Sequence, residues 1–482
     1  MTKKARKLFP KSTPLNKINV SVWEDDPEDG VLTLRPIPNL AKKPLAYSFD
    51  ASAPKPGSYQ PGTSEFRYWT AAEALRRGAD FWGARVPGGK WQVGMTLKVL
   101  LDEGVDLNAY YDRTALNFFH GPGKGGTVVF SGESPDVICH EMGHAILDAI
   151  KPQLWGAASH EAAAFHEAFG DMSTILSALQ LDSLRKAILL DTQGHLYRNS
   201  RLSRLAEQLG TAIRLQAPDA VDPDCLRNAV NSFTYIDPTN LPQGAPASQL
   251  SSEPHSFSRV FTGAFLEILA GMLTKRAADP SAPTEQELLA VSGEMADVLV
   301  EGVTRAPVVP NWYAQVAAAM VQSSGDRNAA YPGILRAAFA RRSILSLTSA
   351  SNVQALQTSL VAATPRAAAK VESNQPLATI ALPSGDYGLD LPLLVEAASQ
   401  PRHFLASAAA TIGNGSLEAK SSATAARAFV DDLFSRGRVD YGEYRRADTH
   451  LDHGRRMHSH QLVSEGGGIR LQRRLFDCGF RH

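Results

Sequence analysis

Two histidines four residues apart, with a glutamate beside the first, are the residues of this chain best suited to chemistry: His140-Glu141-Met142-Gly143-His144. On a helix, positions four apart lie one turn above each other on one face, so both imidazoles can point at a single metal ion. Glu141, about 100° round the helix from His140, can reach a water bound to that ion. The pattern H-E-x-x-H is short enough to recur by chance, so what else converges on it matters. A catalytic zinc usually keeps three protein ligands and an open position for water. Glu167 follows His144 by 23 positions, enough for one helix to end and a second to return past the metal. Asp171, one turn further, shares Glu167's face and could accept the spare N–H of a ligating imidazole. Glu161, His160 and His166 are rival third ligands. The alternative completion, H-E-x-x-H-x-x-G-x-x-H, is excluded because Leu147 and Ile150 stand at its Gly and His positions.

These side chains need helices to hold them. Residues 134–150 read as one: Ser134 suits the N-cap, Pro135 the first turn and Asp136 the positive end of the dipole, and Pro152 stops the run. Val137, Ile138, Ile146, Leu147 and Ile150 give it apolar surface to bury. Residues 159–179 read as the second helix. Upstream, Ala71 to Trp82 has helical periodicity, while Met95-Leu97-Val99 and Leu107-Ala109-Tyr111 alternate as strands do. Leu116–Phe119 and Thr127–Phe130 flank GPGKGG, which reads as a hairpin connection because no G-K-[ST] helix start follows. Beyond residue 180 the pattern is mainly helical, over Leu250–Met272, Glu285–Val303, Trp312–Ser324 and Tyr331–Ile344.

HEMGHAILD followed by HEAFGD resembles the thermolysin family of zinc metalloproteases, and further stretches between residues 66 and 346 match in order. The resemblance implies an α+β fold of two lobes, a β-rich N-terminal lobe and an all-helical C-terminal lobe with a zinc cleft between. It implies zinc held by His140, His144 and Glu167, with Glu141 as general base in peptide hydrolysis. Asn108-Ala109-Tyr110-Tyr111 resembles the family's edge strand, with Asn108 and the Ala109 backbone holding the substrate extended. Leu226-Arg227 resembles the wall of the pocket for the residue after the scissile bond, so hydrophobic residues are expected there. Glu253-Pro254-His255-Ser256-Phe257-Ser258 resembles the segment whose histidine, here His255, donates to the oxyanion. Two departures stand out. Trp155 occupies the place of a tyrosine that assists that histidine, and an indole N–H donates but cannot accept. The calcium cluster is not reproduced, because Asp136 matches one ligand but Ala178 stands where a carboxylate should follow; bound calcium is not expected.

Composition bounds the rest. The chain has 482 residues, 44% of them hydrophobic and 20% charged, which is ordinary for a globular protein of two or three domains. Lys+Arg and Asp+Glu both number 49, so no global field favours nucleic acid or an anionic membrane. A peptide or protein substrate is the expected partner, and no nucleic acid. Three cysteines are too few and scattered for a disulfide framework, and Cys139 reads as a small core residue. The basic N-terminus lacks an apolar core behind it, and no run of 18 apolar residues occurs. The expectation is a soluble protein without a signal peptide, cytoplasmic or exported by a non-Sec route. Four parts are expected. Residues 1–65 form an N-terminal extension or a short precursor segment covering the cleft; residues 66–180 and 181–346 are the two lobes. Residues 347–482 are an Ala/Ser/Thr-rich linker and an accessory tail, with short helices over Leu389–Ala398 and Ala423–Leu433. The Arg- and His-rich end reads as a solvated tail or small accessory domain. A competing reading keeps the fold as a catalytically silent zinc-binding or interaction module, though such a site needs no general base.

Overall fold

The computed structural model describes residues 19–346, 376–399, 421–444 and 457–479. In chain order, β1 (Asn19–Trp23), β2 (Leu32–Pro36) and β3 (Ala46–Phe49) lead into α1 (Ser64–Trp82). Strands β4 (Thr96–Leu100), β5 (Ala109–Tyr111), β6 (Ala115–Phe118), β7 (His120–Pro122) and β8 (Val128–Phe130) precede α2 (Pro135–Ile150). A short α3 (Gln153–Gly156), then α4 (His160–Ala178) and α5 (Asp182–Thr192), follow. Next come β9 (Arg204–Leu205), α6 (Glu207–Arg214), β10 (Arg227–Asn228), α7 (Pro254–Arg276), α8 (Glu285–Arg305), α9 (Trp312–Ser324) and α10 (Tyr331–Arg341). The remainder holds β11 (Ala378–Leu382), β12 (Leu393–Ala397), α11 (Ser422–Ser435), β13 (Val439–Asp440), β14 (His460–Glu465), β15 (Gly468–Arg473) and β16 (Phe476–Asp477).

The fold is mixed α+β. One five-stranded sheet runs β16-β5-β6-β4-β3, and a second runs β11-β12-β15-β14-β13. Behind the first sheet, α1 packs on α2, α2 on α4, and α4 on α7, which in turn meets α8 and α10. The start of α2 follows from its sequence. Ser134 accepts from the Val137 amide at 3.3 Å, Pro135 sits where a missing N–H costs nothing, and the Lys151 amide closes on Leu147. All of α4 and all of α2 but Ala149 is buried, so both helices are surrounded on every side. Their close approach is made by two glycines. A Cβ on Gly143 would stand 2.8 Å from the Cα of Gly170, and one on Gly170 would stand 2.5 Å from Cε1 of His140. Helix α7 is long and apolar enough to cross a bilayer, but 78% of its apolar stretch is buried inside the protein, as in a core helix.

Several sequence expectations change. The boundary at residue 65 cuts through the first sheet, because β3 pairs in parallel with β4. Of the N-terminal segment, residues 19–65 are described: β1 and β2 pair with each other and β1 packs on α1, while Asp26 accepts from the Ser134 hydroxyl at 2.9 Å, at the start of α2. The hairpin around GPGKGG joins β7 to β8, rather than starting from residues 116–119, and Gly125 and Gly126 adopt φ of 69° and 82° at its tip. Leu389–Ala398 contains strand β12 in place of a helix. Pro392 blocks helix continuation, and Leu393, Val395 and Ala397 alternate inward, with Leu393–Ala397 paired to β11. Ala423–Leu433 lies within α11. The end of the chain is no solvated tail where it is described: His460, Arg473 and residues 475–478 are buried. The 347–375 linker reading and Arg445, Arg446, His450, His453, Arg455 and Arg456 lie outside the described residues.

Candidate metal centre

Two helices buried but for a single alanine and carrying so many polar side chains raise an accounting question, since a buried polar group without a partner costs free energy. Most have one. His160 Nε2 meets Asp432 at 2.6 Å, which removes it as a metal ligand. Glu161 accepts from the Tyr235 hydroxyl and the Tyr313 amide, both at 2.7 Å. Asp148 accepts from Tyr111 at 3.0 Å and pairs with Arg113. Asp171 is clamped by Arg227, whose Nη2 donates at 2.8 Å, and its Oδ1 lies 3.1 Å from His140 Nδ1.

What remains is a cluster. His140 Nε2, both nitrogens of His144, both oxygens of Glu141 and Oε2 of Glu167 lack well-formed hydrogen bonds although buried. His140, Glu141 and His144 offer ligand atoms within 4.8 Å of one another. Glu167 joins from α4 through different oxygens: Oε2 lies 3.4 Å from His140 Nε2, and Oε1 lies 3.8 Å from His144 Nε2. A set of converging, unsatisfied nitrogen and carboxylate donors is what a divalent ion requires, and these residues fit zinc. His166, the last rival, is also unpartnered but lies outside the group of three, its ring stacked 4.0 Å from Phe476.

The electrostatics suit the same occupant. Burial pushes Glu141 up to about 8, the neighbouring Glu167 adding to it. Burial drives His144 well below the usual imidazole range, helped by three other histidines. Burial also pulls His140 down, but Asp171 and Glu167 outweigh it and raise it above the ordinary imidazole value. Burial alone would raise Asp171, yet Arg227 and His140 hold it below the ordinary carboxylate range, so it stays an anion able to orient His140. Asp171→Asn is expected to weaken zinc binding about 10–100-fold with the fold intact, read by competition with a chromogenic chelator.

The remaining predicted residues fall around this cluster. His255, at the start of α7, has Nε2 3.2 Å from Glu167 Oε2 and Nδ1 2.7 Å from Glu253. Burial lowers its pKa, but Glu167 and Glu253 prevail and lift it to about 9. Arg227 is buried and lines a cavity of about 400 Å³ with Leu226, Ala220, Ala245, Ala247, His255 and Arg259. Trp155 packs edge-on against Tyr111 and Phe476, with the Arg113 guanidinium over its ring. Asn108 sits beside Ala109 on β5, its amide 3.3 Å from the Met457 sulfur.

Sequence reasoning missed two features. First, β5 is not a free edge: β16 pairs with it antiparallel, Phe476 opposite Tyr111 and Asp477 opposite Tyr110. Second, Asp136 belongs to a buried carboxylate group with Asp25, Asp26 and Glu207, half of it supplied by the N-terminal segment. Burial and mutual repulsion push Asp25 up to about 7, and burial takes Glu207 to about 8. A carboxyl whose folded pKa is raised binds its proton more tightly folded than unfolded, so it costs stability as pH rises through that interval. The melting temperature is therefore expected to fall between pH 5 and 8. Asp25→Asn is expected to lessen that fall by on the order of 1 kcal/mol, ~2 °C; calorimetry at both pH values checks it.

The sequence matches no described family profile, and it matches no curated protein. Among solved structures the chain is similar to the precursor of protealysin, a metalloproteinase from Serratia proteamaculans. The two share 14% identity, with 64% of this chain and 90% of that chain covered and a TM-score of 0.40. A superposition this loose transfers no residue roles, and the functional reading rests on the site itself.

Proposed function

We propose that this protein is a zinc-dependent metalloendopeptidase that hydrolyses extended peptides, preferably before hydrophobic residues. The observation carrying this reading is the meeting of two features at one buried point. Unsatisfied donors from His140, His144 and Glu167 converge there, and His255 Nε2 stands against a peptide carbonyl, the Asp477 oxygen, at 2.6 Å.

His140, His144 and Glu167 would hold the metal, with Asp171 fixing the His140 tautomer by accepting its Nδ1–H. Bound zinc supplies Lewis acidity and brings the pKa of a coordinated water towards ~7. Glu141, held by burial near the working pH, takes the proton of the attacking water and returns it to the leaving amine. His255 carries a proton at neutral pH and donates from Nε2 to the oxygen on which charge develops. With β16 displaced, strand β5 would offer main-chain hydrogen bonds to a substrate laid alongside it, the usual mode of strand addition. Leu226 and the neighbouring alanines give the cavity beside Arg227 apolar wall for the residue after the cut bond.

The test is metal analysis of the purified chain together with cleavage of a quenched peptide library. Wild type and Glu141→Gln would be compared with and without phenanthroline. About one zinc per chain, with cleavage abolished by either treatment, is the expected result; measurable cleavage that proceeds undiminished in every sample would remove the reading.

A further inference from the structure

We propose that residues 475–478 of this chain are a built-in occupant of its own substrate cleft, a strand that holds the enzyme latent until displaced. The inference rests on the peptidase reading above and adds its regulation.

A ligand of this cleft must lie along β5 in extended form, put a carbonyl against His255 and pass the metal cluster. Residues 476–478 meet each condition. Strand β16 adds to β5 antiparallel, and the Cys478 amide donates to the Ala109 oxygen at 2.9 Å. The Asp477 carbonyl accepts from His255 at 2.6 Å. The Phe476 ring stacks 5.1 Å from His144 and 4.0 Å from His166, covering the face of one candidate ligand. The Cys478 thiol lies beside the Glu141 carboxylate. Asn108, expected to grip a substrate, faces Gly479 so closely that a Cβ there would strike its side chain.

The strand is also anchored from behind, as a passing substrate would not be. The Asp477 carboxylate pairs with Arg438 at 2.6 Å. Arg473 donates to the Trp155 oxygen at 2.9 Å and lays its guanidinium 4.1 Å from the Phe476 ring. The unit carrying these residues grips both sides of the cleft. At the start of α4 the Glu396 main-chain oxygen accepts from the Ala158 amide at 2.8 Å, and Asp432 meets His160 at 2.6 Å. Just before α7, the same Asp432 accepts from Ser252 at 2.8 Å. Held upstream at Arg473 and at the Asp477 carboxylate itself, the peptide presents its carbonyl on a backbone that is tied down.

The test uses the zinc-loaded full chain, Phe476→Asp, which removes the stacking, and Asp477→Lys, which sets like charge against Arg438. A fluorescein-labelled peptide hydroxamate is titrated into each and followed by anisotropy, with zinc content measured in parallel. Both variants are expected to bind the probe at least about tenfold tighter than wild type, because a cleft filled most of the time lowers apparent affinity by its open fraction. Hydrogen exchange on wild type is expected to show the segment 475–479 protected, and mass spectrometry to show the bond between residues 477 and 478 intact. Equal probe affinity in all three zinc-loaded proteins would overturn the latch and leave the peptidase reading standing. Fast exchange of the segment in wild type, or a product ending at Asp477, would overturn it whatever the variants do. Failure of every form to hold zinc would overturn the peptidase reading and the latch with it.

Discussion

Glu141→Gln is expected to lower peptide cleavage by about 10²–10⁴-fold while leaving zinc content unchanged. The substitution keeps the shape of the side chain and removes only its ability to accept a proton. Glu141 is fully buried and its oxygens have no well-formed hydrogen bond, so no other carboxylate can take over from its position. The measurement is kcat with a quenched peptide, made on the full chain and again in the Phe476→Asp background, so that a covered cleft does not hide the loss. A variant that retains cleavage within about threefold of its parent, a difference under 1 kcal/mol in barrier, would exclude Glu141 as the base.

His255→Ala is expected to cost about 10²–10³ in kcat, with KM for short peptides little changed, because the bond it removes strengthens only as charge develops on oxygen. The pH profile carries a second signature. His255 holds its proton up to about 9, so its donation persists through neutrality and fades above that value; the variant should lose this alkaline limb. A drop in KM-linked affinity alone, with kcat and the limb intact, would recast His255 as a binding residue. The same substitution removes the partner of the Asp477 carbonyl, so it should also raise affinity for the labelled hydroxamate.

The part of the site that lies within one helix was legible in the sequence. The His140 to His144 spacing, the Ser134 cap and Pro135 are local facts, and local rules decide them. The third member was not decidable that way. His160, Glu161, His166 and Glu167 all sit on one helix, and what separates them is what packs against each: Asp432, Tyr235 and Tyr313, Phe476, and the histidine pair. Those partners come from elsewhere in the chain. The 389–398 stretch was misread because a short apolar run with a proline suits either period, and only pairing with β11 and β15 makes it a strand. Strand β16 is two residues long, and nothing in Phe-Asp-Cys marks it as the occupant of a cleft.

The bond from Arg473 to the Trp155 oxygen joins residues 318 apart in the chain. A ribosome therefore finishes every wall of the cleft well before it makes the strand that fills it. Domains made first generally fold first, and closing so long a loop is slow. The nascent protein thus passes through an interval in which the histidine pair faces solvent, open both to metal and to any neighbouring chain still threading into shape. Latency arrives last, and the period of exposure runs until the strand has been both made and docked.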